Sequence, residues 1–153
     1  MTEEEKLYVK EVDCPEIQNG WNPKVGDKYY NKGLNENFTV FESTLSFIPT
    51  LIDKENPEMW QNYYIFLPSL DQLLDILGER FSHLALYKKV YRCVLNGKVV
   101  ALRDLIYNGS TPKLACLLAV KEVLKEDAQE ERDLVMQTRP FVKRALKKEE
   151  SDG

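Results

Sequence analysis

The sequence predicts an α+β fold, a mostly antiparallel sheet carrying two main helices at about 69–78 and 111–125. Three observations predict it. Ahead of Ser69 the chain is rich in Asn, Gly, Pro and aromatic residues with little helical periodicity, which suits strands and turns. From Ser69 the apolar residues recur at helical spacing, and after Leu86 alternating apolar residues and an Asn-Gly pair lead into a second, longer helical pattern. The 153 residues are enough for one domain with its own core, and no apolar run approaches the ~18 residues that cross a bilayer. One α+β domain is placed at 21–126, after a partly ordered segment 1–20 and before a charged helix or tail at 127–153.

In the N-terminal half, "WNPKVGDKYYN" carries turn punctuation at Asn22-Pro23 and Gly26-Asp27, then a strand signal from Lys28 to Tyr30. "FTVFES" and "LSFIPTLI" have the β-branched and aromatic content of half-buried strands, "NPEMW" marks a turn, and "QNYYIFLP" reads as a strand ended by Pro68. Ser69 and Gln72 are then spaced as a capping box, in which the hydroxyl and the amide each satisfy a free backbone N–H at the helix start. Leu70, Leu73, Leu74 and Leu77 share one face, Asp71, Gln72 and Asp75 lie opposite, and Gly78 supplies a C-terminal cap. Asn96-Gly97 predicts a two-residue hairpin turn that sets Cys93 opposite Val100 and Val94 opposite Val99. Both faces of such a hairpin are apolar near the turn, so it is expected to be interior to the sheet or covered on both sides. Ser110 or Thr111 then caps a helix with Pro112 near its first position, and the charge-free run from Leu114 to Val120 makes it the central helix of the core.

Composition limits the chemistry. With 25 acidic and 21 basic residues the net charge is −4, which disfavours a polyanion partner unless positive charge is concentrated locally. Charge is segregated near the C-terminus: 122–133, "EVLKEDAQEERD", is acidic, whereas 139–148 holds Arg139, Lys143, Arg144, Lys147 and Lys148. As a helix, the latter gathers Phe141, Val142, Ala145 and Leu146 on one arc. Cys14, Cys93 and Cys116 are widely spaced and fit neither a disulfide framework nor a zinc site; Cys93 and Cys116 sit in apolar surroundings that suit buried thiols in a reducing cytoplasm. "MTEEEKLYVKEVD" lacks the basic and apolar regions of a signal peptide, so a cytoplasmic location is expected. His83, the single histidine, has no nucleophile partner indicated nearby, and Asp71 and Asp75 fit a helix start as well as a carboxylate pair. No GxSxG, P-loop or GxGxxG pattern occurs, so no catalytic residue, metal ligand or cofactor is assigned. Trp21, Trp60 and the tyrosines of "KYYN" and "NYYIF" suit cross-strand packing first and a ligand groove second.

Three resemblances bear on function. "NGSTPKLACLLAVKEVL" resembles the last helix of double-stranded-RNA-binding domains, but where that family crowds the helix start with lysines facing phosphates, Lys113 here stands alone. Its G-x-T-P start is similar to that of small antitoxins of HicB type. Over roughly residues 21 to 125, the order of "WNPKVGD", an apolar strand, "LPSLDQLLDILGE", further strands and a G-x-T-P helix resembles small bacteriophage and prophage proteins with a PxxDQLxxMLG segment. Pro68, Asp71, Gln72, Leu73, Leu77 and Gly78 match that segment, with Ile76 in the methionine slot. The resemblance implies a phage or prophage accessory protein with no known catalytic residue or cofactor. The expected function is non-enzymatic binding to a host or phage protein, the alternative a nucleic-acid-binding or antitoxin-like regulatory module, and the third a small hydrolase. An exposed apolar patch, a basic stripe or a pocket with convergent carboxylates would favour each in turn.

Overall fold

The computed structural model describes residues 1–41 and 64–151, with side chains through Met136. The strand expected in "LSFIPTLI", the turn "NPEMW" and Trp60 lie outside the described residues. The fold is α+β, as expected, with the strands divided between two antiparallel three-stranded sheets.

The first twenty residues hold two helices that the sparse apolar pattern did not reveal. Helix α1 (Glu3–Val12) starts where Thr2 Oγ1 accepts a hydrogen bond from the Glu5 N–H, and Glu3, Glu4 and Glu5 complement the positive end of the helix. It buries only Tyr8 and Val12, one turn apart, which is too few residues for a visible period. Tyr8 reaches across the molecule to donate its hydroxyl proton to the Pro68 carbonyl. Helix α2 (Pro15–Gln18) is a single turn with proline at its start. Tyr8, Val12 and Ile17 belong to the same core as the strands that follow.

The first sheet consists of β1 (Lys28–Asn31), β2 (Glu36–Thr39) and β3 (Tyr64–Leu67) in the order β2-β1-β3. Buried Gln18 closes the β3 edge. Its amide accepts from the Phe66 N–H at 2.8 Å and donates to the Phe66 and Val12 carbonyls at 3.0 and 2.8 Å. Trp21 stacks on Phe66 with ring centroids 5.0 Å apart, and its Nε1 donates to buried Asp27. Helix α3 (Leu70–Leu77) has the expected capping box between Ser69 and Gln72. Gln72 Nε2 also donates to Asp27 Oδ1, which ties α3 to the turn before β1. Gly78 has φ +54°, a conformation costly for any residue with a Cβ, and opens a short 3₁₀ turn through Arg80.

The second sheet corrects the expected hairpin. β4 (Phe81–Tyr87) and β5 (Val90–Leu95) are joined at Lys88-Lys89, and β6 (Ile106–Gly109) flanks β5 on its other edge. Cys93 faces Leu84 and Tyr107, not Val100, and Val94 faces His83 and Ile106, not Val99. Gly97 does not have positive φ; the Asn96 carbonyl accepts from the Val99 and Val100 N–H groups, so Asn96-Gly97 begins a connecting loop. The local turn signal lost because both edges of β5 are taken by β4 and β6.

Helix α4 (Pro112–Ser151) begins where Thr111 Oγ1 accepts from the Leu114 N–H, the expected cap. It does not end at Lys125: no Gly or Pro interrupts it before Pro140, and Glu, Gln, Ala, Arg and Leu all sustain a helix. Its first half contacts β5, β6, α1, α2 and α3. Leu114, Ala115, Cys116, Leu117, Ala119, Val120 and Val123 are buried, so the charge-free run is the core helix.

At the start of α4 the backbones themselves touch. A Cβ on Gly109 would lie 2.5 Å from Ala115 N and 3.0 Å from its Cα, atoms that cannot swing aside, whereas one on Gly97 would meet only the Leu105 side chain. Gly109→Ala is therefore expected to destabilise the protein by about 1–3 kcal/mol in chemical denaturation, and Gly97→Ala far less. Equal losses would show that the β6–α4 contact is looser than described.

Candidate functional site

The second sheet has two unlike faces. Alternation along the strands turns Leu84, Tyr91, Cys93, Leu95 and Tyr107 toward α4 and the core. The opposite face carries three cross-strand rows: His83 beside Val94 and Ile106, Ala85 beside Arg92 and Asn108, and Tyr87 beside Val90. This face is open, with Tyr87, Val90 and Ile106 exposed by 51%, 39% and 52%. Of the two expectations for this apolar stretch, β5 is indeed interior to the sheet, whereas among the described residues elements pack on one face only.

Arg92 lies at the centre of this face. Its guanidinium sits 4.6 Å from the Tyr87 ring centroid, and Lys88 Nζ lies 5.4 Å from the same ring. Arg92 Nε is buried without a hydrogen-bond partner among the described residues, and no ion pair there involves Lys88, Lys89 or Arg92. Lys88 and Lys89 have φ +48° and +68°. A two-residue hairpin turn with both residues at positive φ favours Asn-Gly, so two lysines here accept a backbone cost that the fold does not require.

The other candidates fall elsewhere. Asp71 and Asp75 are exposed on α3. His83 is exposed, with Nδ1 3.0 Å from the neighbouring Ser82 hydroxyl, and no carboxylate is hydrogen-bonded to it among the described residues. No group of His, Cys, Asp and Glu side chains there could hold a metal ion. Trp21, Tyr29 and Tyr64 pack with Phe38 and Phe66 in the first sheet. Lys113 is half-buried with its ammonium 4.2 Å from the Tyr8 ring centroid; burial, then the nearby charge of Lys28, lowers its pKa. It braces α1 against α4 and does not project as a phosphate-facing lysine would. The side chains of Arg139, Lys143, Arg144, Lys147 and Lys148 lie outside those described.

The sequence did contain a signal for the site. "LYKKVYRCV" alternates around its lysine pair, but the Asn-Gly seven residues later drew the turn away from it. Comparison with protein-family models, with curated proteins and with solved structures finds no match to this chain.

Two measurements follow from these placements. Replacing the turn by Lys88→Asn with Lys89→Gly should raise stability by about 1 kcal/mol or more, read as a higher denaturation midpoint; an unchanged midpoint would mean that the lysines bear no conformational cost. Cys93 and Cys116 are fully buried, and the Cys93 thiol pKa is pushed up by its hydrogen bond with Cys116 and by burial. Half-buried Cys14 should therefore react with a thiol reagent first in the native protein, with the other two reacting on unfolding. Rapid native labelling of Cys93 and Cys116 would contradict their burial.

Proposed function

We propose that this chain is a non-enzymatic protein-binding module whose binding surface is the open face of β4, β5 and β6. The observation that carries the reading is the composition of that face. Exposed Tyr87, Val90 and Ile106 surround Arg92, with Lys88 and Lys89 at one end. Aromatic residues and arginine concentrate where protein interfaces are most deeply buried, while lysines remain at the rim. The accessory role in phage or prophage biology rests on the Pro68–Gly78 pattern, and a host or phage protein is the corresponding partner class. Three free cysteines, two of them fully buried, support a reducing compartment such as the cytoplasm.

The nucleic-acid alternative draws on the uncompensated charge of Lys88, Lys89 and Arg92. Against it, the Tyr87 ring is occupied by Arg92, and Val90, Val94 and Ile106 offer branched side chains instead of flat surfaces for base stacking. Tyr87→Ala, Arg92→Ala and Ile106→Asp, each folded by circular dichroism, should lose the protein partner that the wild type captures from host extract. Asp71→Asn with Asp75→Asn should retain it. Titration with single-stranded and duplex nucleic acid at low salt should show no binding; salt-sensitive binding abolished by Lys88→Ala with Lys89→Ala would decide for the regulatory alternative.

A further inference from the structure

The second sheet ends on a strand whose outer edge is unguarded. β4, with the sequence FSHLALY, pairs with β5 along one edge, and among the described residues no strand takes the other. Edge strands are ordinarily protected by charge, proline or a bulge. β4 contains no Lys, Arg, Asp, Glu or Pro, and its bulge lies between Phe81 and His83, clear of the stretch that follows. The two-residue turn at Lys88-Lys89 makes Tyr87 and Val90 a hydrogen-bonded pair, and alternation then gives Ala85 to Arg92 and His83 to Val94. Leu84 and Leu86 therefore aim their N–H and carbonyl groups away from β5. Among the described residues, no backbone hydrogen bond meets those groups. The Leu86 side chain is 63% exposed, and α4 packs on β5 and β6, which leaves this edge approachable.

We propose that β4 pairs antiparallel with β4 of a second copy of this chain, about a two-fold axis at Ala85, so that the two sheets join edge to edge. The backbone selects a strand as occupant, because an extended chain matches donors and acceptors that alternate along an edge. The register selects a second copy. With Ala85 on the axis, Leu84 falls opposite the partner's Leu86, and each such pair exchanges the outward hydrogen bonds. Exposed Leu86 is then covered by the partner's Leu84, a residue already packed on the core. Ala85 meets the partner's Ala85 as a non-hydrogen-bonded pair, the closer kind at about 4.5 Å between Cα atoms, where a small side chain fits. The two lysine turns lie at opposite ends of the joined strands, so their charges stay apart. Pairing of β4 with β6 of another copy would leave edges open and propagate, whereas β4 with β4 closes as a dimer. This inference uses the edge of the sheet and does not rest on the reading of its open face.

The test uses the full chain. Light scattering should give twice the single-chain mass. Leu86→Pro removes an outward N–H and spares the bonds to β5, a position where edge strands tolerate proline. It should stay folded by circular dichroism and weaken dimerisation about tenfold or more through the lost hydrogen bonds. Leu86→Lys, which keeps the backbone intact, should also give a folded monomer. In a Cys14→Ala background, Ala85→Cys should form a disulfide-linked dimer on mild oxidation, because the paired Cα atoms fall within bridging range. His83→Cys in the same background should not, since that residue lies about 13 Å from its own copy in this register. A monomeric wild type, a dimer that either folded Leu86 variant retains in full, or faster linkage through His83→Cys than through Ala85→Cys would each overturn the proposal.

Discussion

At Gly109 the backbone of β6 meets the backbone of α4, and the placement of the second sheet depends on that approach. The space for a Cβ is already taken by Ala115 N and Cα and by Leu114 C. With strand and helix this close, Cys93 and Leu95 can pack directly on Ala115, Cys116 and Ala119, and the small residues of α4 fall among the most buried in the protein. A larger residue at Gly109 would push the sheet outward and open voids beneath β5, where packing tolerates little loss of volume. The same approach exposes the other face of the sheet. Among the described residues, α4 covers one face of these three short strands, and Tyr87, Val90 and Ile106 on the other face are exposed.

The first sheet is held differently. Buried Asp27 and Gln18 work as hydrogen-bonding hubs, because polar groups can remain inside a core only when their donors and acceptors are met. Asp27 joins Trp21, the Lys24 N–H and Gln72; Gln18 joins α1 and β3. These contacts lock the N-terminal helices to the turn before β1 and to α3, and Tyr8 adds a further tie to Pro68. Lys121 and Glu11, 2.9 Å apart, fasten α1 to the first part of α4. The N-terminal segment is thereby part of the core that the second sheet shares.

What could be read in advance follows from the range of the interactions. The capping box at Ser69 and the Thr111-Pro112 start of α4 are settled within a few residues, and both occur in the structure. The hairpin differs from the expected one because its outcome is set by neighbours: Asn96-Gly97 is the better isolated turn, yet pairing with β4 and β6 gives the turn to Lys88-Lys89. Helix α1 is hidden in the sequence for a related reason. Tyr8 and Val12 make sense as helical positions only once Pro68 and α4 are present to receive them. The open face was equally hidden, since Val94 and Ile106 lie far apart in sequence and become neighbours through the register of β5 with β6. The apolar content of its strands was visible, but not which side would be covered.

Local sequence preference and fold agree at most sites and part company at Lys88-Lys89, where the turn accepts positive φ without glycine or asparagine. Departures of that kind persist when something other than stability retains them. Here the departure concentrates positive charge beside Tyr87 and Arg92 in a chain that is acidic as a whole. Arg80 grips Asp127 through two hydrogen bonds of 2.9 and 3.0 Å, which ties the 3₁₀ turn after α3 to α4 and neutralises one of the acids on that helix.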